Sequence, residues 1–141
     1  MKKLKSCIAI IALVIAMILC VGCDPKDPIV IKESDTFIVI NVTSEQMTIS
    51  GDTKLVDYME MLKTKELLDF KIKDGMITEV NGIENPADWS SCWMIYTNDT
   101  ATSNPAYSIE YNGKKYASAN YGAESLVIKD GCTYIWYYQS F

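Results

Sequence analysis

The chain has 141 residues with 18 acidic side chains, 13 lysines, no arginine and no histidine, for a net charge of −5. That balance excludes the basic patch a nucleic-acid partner requires. It also removes two tools of enzymes, the commonest general base and the guanidinium fork that grips oxyanions and phosphates.

In chain order, Lys2, Lys3 and Lys5 precede an unbroken apolar run over 7–21. A basic start, an apolar centre and a small residue at its end form the pattern of a secretory signal peptide. The run is shorter than the ~20 residues of a comfortable bilayer span. Its end, Cys20-Val21-Gly22-Cys23, resembles a bacterial lipobox, with Cys20 in the place usually held by leucine. The resemblance implies removal of residues 1–22 and attachment of lipid to Cys23. The C-x-x-C spacing also occurs in redox dithiols and zinc sites. The first needs a helix N-terminus inside a folded domain, and the second needs two more ligands. The mature chain would keep ten lysines against 18 acidic residues, a charge of −8. The lipid, not electrostatics, would then hold it to the extracytoplasmic face of the cell membrane.

Residues 23–34 are polar and carry Pro25 and Pro28, which predicts a tether. The remaining 35–141 is enough for one core. TFIVINV (36–42) predicts a strand, and QMTIS (46–50) a strand returning against it. The period then changes. Leu55, Met59 and Leu62 form the stripe of an amphipathic helix, widened by Val56, with Asp57, Glu60 and Lys63 facing water and Asp52 or Thr53 as N-cap. FKIKDGMITEV predicts a hairpin turning at Asp74-Gly75, with Phe70, Ile72, Ile77 and Val80 inward. SCWMIYT (91–97) predicts a central strand. A second hairpin is centred on Asn112-Gly113 within 107–119, and a closing strand follows Asp130-Gly131. The fold class is α+β: one amphipathic helix on a mixed or antiparallel sheet with an extra β-hairpin.

Of the 15 aromatic residues, 12 lie between Trp89 and Phe141. Alternation puts Trp93 and Ile95 on one face, Met94 and Tyr96 on the other, and gathers Tyr134, Trp136 and Tyr138 on one face. One helix cannot cover both faces of such a sheet, so some rings should face solvent or lie under the loop over 97–107. Most single rings are accounted for as ordinary strand residues. As a set they suit a platform for a flat or amphipathic ligand, with Trp89, Trp93, Tyr96, Tyr107, Tyr121 and Trp136 as contact residues. With Cys23 lipidated and Cys20 removed, Cys92 and Cys132 form an even pair. In an exported domain, where disulfides persist, they are expected to bridge, the alternative being two buried inert thiols. No nucleophile, phosphate-loop or calcium-loop motif is present, so neither catalysis, a required cofactor nor a metal is expected.

The stretch KLVDYMEMLKTKELLDFKIKDGMITEVNGI, then CWMIYTND, then LVIKDGCTYIWYYQSF is similar to the bacterial domain related to the C-terminal domain of transcobalamin. The matching residues are Val80, Asn81, Gly82, Trp93, Tyr96, Gly131, Trp136 and Tyr137, within 36–141. Cys132 stands where the family often has an acid, and the 107–119 hairpin is longer than the family minimum. The resemblance implies a β-grasp-like fold and a non-covalent ligand, with cobalamin or a related cofactor the candidate. The large helical domain that shares cobalamin in transcobalamin has no counterpart here. The other reading is an interaction module that docks a surface protein or cell-wall glycan with the same aromatic face.

Overall fold

The structure, a computed structural model, describes residues 27–141. The expected signal peptide, Cys23 and the first part of the expected tether lie outside the described residues. Within them the chain forms β1 (Val30–Ser34), β2 (Phe37–Asn41), α1 (Leu55–Thr64), β3 (Phe70–Lys73), β4 (Met76–Val80), β5 (Ile83–Glu84), β6 (Ser91–Thr97), β7 (Ser103–Tyr111), β8 (Lys114–Ala119) and β9 (Thr133–Ser140). A six-stranded sheet runs β1-β2-β9-β6-β8-β7 and a three-stranded sheet runs β3-β4-β5. Every pairing is antiparallel. The α+β class, with one helix among the described residues and the extra β7–β8 hairpin, therefore holds.

Four expectations change. Residues 30–34 are not tether but strand β1, and the Asn41 side chain fastens this end by donating to the Pro28 carbonyl at 2.9 Å. Residues 46–50 form no strand, because β1 and β9 already occupy both edges of β2. Met47 and Ile49 pack against the core instead. A bulge between Lys71 and Ile72 breaks the alternation of β3, so Phe70 is buried while Ile72 turns outward. Strand β7 begins at Ser103, with a bulge between Asn104 and Ser108 that loops out Pro105, Ala106 and Tyr107.

Helix α1 buries Leu55, Tyr58, Met59 and Leu62 against one face of the large sheet. Its first N–H groups have no partner within the helix. The Lys54 N–H donates to Oδ2 of Asp57 (2.8 Å), and the Leu55 and Val56 N–H groups donate to the carbonyls of Leu126 (2.8 Å) and Ala123 (3.1 Å). Asp57, expected only to face water, thus closes the helix start, while Asp52 and Thr53 bond to Ser50 instead. The helix side of the sheet presents Ile38, Ile40, Trp93, Ile95, Tyr134 and Trp136 to this core, which Phe70, Ile77 and Val80 complete.

The opposite face is covered by the sheet itself. Val39, Tyr96, Tyr116 and Ile135 are buried there, with Phe37, Met94, Tyr111 and Tyr137 packed around them. Rings connect in series: Tyr96 to Tyr137 (6.5 Å), Tyr137 to Phe37 (5.4 Å), Phe37 to Tyr111 (5.5 Å) and Tyr111 to Tyr116 (6.2 Å). The Tyr111 hydroxyl also bonds to Glu33, joining edge strand β7 to edge strand β1. The sheet therefore curls until its two edges meet, and neither solvent nor the 97–107 loop is what covers these rings.

Candidate functional site

Pairing between β6 and β8 stops at Tyr96↔Ser118. Beyond it the chain leaves β8 through 119–123 toward the start of α1, where the Ala123 carbonyl is fixed by the Val56 N–H. The edge of β6 from Ser91 to Ile95 is left without a strand neighbour on that side. Asn85 partly covers it: its Oδ1 accepts the Trp93 N–H at 3.0 Å while its Nδ2 donates to the Ile77 carbonyl at 3.2 Å. Two more bonds lash the small sheet to the large one, from Trp93 Nε1 to the Ile83 carbonyl (2.8 Å) and from the Tyr138 hydroxyl to the Glu84 carbonyl (3.2 Å).

Between these walls lies an open cleft of about 340 Å³. Trp93, Trp136 and Ile95 are buried and belong to its floor, and Met76, Trp89 and Tyr121 also line it. The lining contains no charged side chain. Three of the large apolar side chains exposed on the protein, Met76 (50%), Trp89 (50%) and Tyr121 (57%), stand around this one cleft. Trp89 closes a turn through its N–H to the Pro86 carbonyl (3.1 Å) and lies at φ 58°. A bulky residue in that left-handed region is unusual and costs on the order of 1–3 kcal/mol. The buried Nε1 of Trp136 has no acceptor among the described residues, at a cost of about 1–3 kcal/mol for a donor withdrawn from water.

Of the six expected contact residues, Trp89, Trp93, Tyr121 and Trp136 come together here. Trp93 and Trp136, only 6% and 2% exposed, act as floor rather than platform. Tyr96 lies on the other face with its hydroxyl donating to Gln139 Oε1 at 2.7 Å. Tyr107 stands on the β7 bulge, 69% exposed and away from the lining. These two do not line this cleft. Asn85 and Met76, which had no signal in the sequence, also line the cleft, as does Cys92, singled out only for a bridge.

The expected Cys92–Cys132 bridge is also corrected, since both are free thiols. Cys92 faces Gln139 across the ladder while Cys132 precedes Thr133 at the far end of β9. About seven residues of strand, or ~23 Å, lie between those levels, against the roughly 4.4–6.8 Å between Cα atoms that a disulfide allows. Burial pushes both thiols above the usual range, so they stay protonated at neutral pH.

A separate polar centre lies at the opposite end of β6. Asp99, 4% exposed, accepts from Lys129 Nζ (2.7 Å), the Thr102 hydroxyl (2.9 Å) and the Ala101 N–H (3.1 Å). Burial raises its pKa, but these donors outweigh burial and the net shift is downward. Every lone pair in use goes to a loop contact, so this cluster braces 97–102 against 129. Comparison of the chain with protein-family models, with curated proteins and with solved structures found no match.

Proposed function

We propose that the chain is an exported lipoprotein, held by lipid on Cys23 at the extracytoplasmic face of the cell membrane. Its domain binds a small ligand non-covalently in the cleft, without catalysis. The observation that carries this reading is the grouping of exposed Trp89, Tyr121 and Met76 around one uncharged hollow, with Trp89 in a strained backbone conformation. Strain of this kind persists only where the surroundings impose it and is concentrated at functional sites. At about 340 Å³ the cleft sits near the lower bound of ligand pockets, roughly 300–1,000 Å³. A one- or two-ring ligand fits that volume. Cobalamin, the candidate from the transcobalamin-like resemblance, is larger and would engage by an edge or a side group. The β-grasp-like assignment rests on the same resemblance and is supported by a single helix across one face of an antiparallel sheet.

The second reading, docking of a surface protein or cell-wall glycan, is favoured by one observation, the β6 edge from Ser91 to Ile95, which no strand pairs on that side and Asn85 covers only in part. An extended peptide could add to such an edge. Titrating the full chain in non-ionic detergent with indole and with cobalamins, followed by tryptophan fluorescence, tests the leading reading. Saturable quenching that Trp89→Ala abolishes is expected. No quenching by either ligand at high micromolar concentration would overturn it.

A further inference from the structure

We propose that the cleft takes a small organic cation, a substituted ammonium whose charge rests against the exposed rings of Trp89 and Tyr121 and beside the carboxylate of Glu124. The inference rests on the ligand-binding reading and names its ligand class. Four rings, from Trp89, Trp93, Tyr121 and Trp136, line a hollow that contains no lysine and no carboxylate. Indole and phenol rings attract a cation through their quadrupole, most strongly where water is excluded. The mouth carries the complementary charge. A Cβ placed at Gly75, itself a lining residue at φ 79°, would meet Oε2 of Glu124 at 3.0 Å. The glycine thus lets an exposed carboxylate approach the rim between the 74–75 turn and the 119–123 wall. Lys73, which precedes the same turn, lines a different hollow, together with Glu84. With a net charge of −5 and no arginine, the chain repels anions at long range and concentrates cations. A cleft built for a neutral ring would use the same rings but would not need the carboxylate at its mouth. One built for an anion would need its opposite.

The probe is choline, compared with its uncharged carbon isostere, in which a tert-butyl group replaces the trimethylammonium, and with indole. Each is titrated into the full chain in non-ionic detergent, with tryptophan fluorescence and calorimetry as readouts. Choline should bind saturably and at least ~5-fold more tightly than the isostere, the factor expected of a cation held against aromatic rings. Glu124→Gln, an exposed change that leaves folding intact, should weaken choline by ~2–5-fold, as for a solvent-facing charge pair, and leave the isostere unchanged. Equal affinity for choline and isostere, or binding of indole alone, would overturn the cation and leave the ligand-binding reading standing. Binding of none of the three would overturn the cation, and would remove the ligand-binding reading as well if cobalamins also fail to quench. An unchanged choline affinity in Glu124→Gln would overturn the assignment of that carboxylate.

Discussion

Both faces of the large sheet are rich in rings and use them in different ways. On the curled face, Tyr96, Tyr137, Phe37, Tyr111 and Tyr116 contact one another in series and are consumed in that packing. On the helix face, α1 and the small sheet cover most of the surface and stop short of the place where β8 leaves β6. There Trp89 and Tyr121, on the flanking loops, meet solvent around a gap whose buried floor is Trp93 and Trp136. A count of aromatic residues therefore says little about binding. What matters is where the cover ends.

The largest predicted effect tests the covered part of the helix face. Leu62 is fully buried, so Leu62→Ala should cost about 3–5 kcal/mol in denaturant unfolding. A cost under ~1 kcal/mol would mean that the helix does not hold this core. Smaller losses should follow on the curled face. Tyr111→Ala removes two ring contacts and the bond to Glu33, for about 1–2 kcal/mol. Tyr111→Phe keeps the rings and should cost under ~1 kcal/mol. Equal losses in the two variants would show that the hydroxyl bond, not the rings, closes the curl.

Alkali separates the faces differently. Burial pushes the Tyr134 phenol, on the helix face, from 10.0 up to about 12, against a smaller opposing effect of the Lys129 N–H it accepts. The folded state then holds a proton that the unfolded chain has lost, so stability is full below pH 10 and falls as pH rises through 12. Tyr134→Phe should flatten that fall in urea midpoints measured from pH 9 upward. An unchanged slope would locate the alkaline loss elsewhere. The smallest effect on stability, and the largest on binding, belongs to Trp89. Glycine tolerates its positive φ, so Trp89→Gly should leave stability unchanged or raise it by up to ~1 kcal/mol. Indole and choline binding by calorimetry should disappear. A destabilised variant that still binds would return Trp89 to a structural role.

Much of the architecture was legible because it is local. The Leu55, Met59 and Leu62 stripe, the Asp74-Gly75 and Asn112-Gly113 turns and the apolar run of β6 each carry their signal within a few residues. Strand β1 was hidden because Val30 and Ile31 sit in a polar, proline-flanked stretch and become a strand only by pairing with β2. Residues 46–50 have a strand-like pattern and lose to geometry, since β2 has no free edge. The disulfide expectation failed for a related reason. Two cysteines that each begin a strand lie at opposite ends when the strands are antiparallel neighbours. The cleft was half legible: its tryptophans stood out by type, while Asn85, Met76 and the curl that removes Tyr96 depend on contacts distant in sequence.

The most direct test is a backbone and indole amide NMR map of the full chain in detergent, titrated with indole and with choline. The account predicts shifts confined to residues 75–77, 85, 89–95, 119–124 and the Trp136 indole, with Tyr107 and the curled-face rings Phe37, Tyr96, Tyr111, Tyr116 and Tyr137 silent. Shifts centred on the curled face or on the β7 bulge, or none at all, would contradict it.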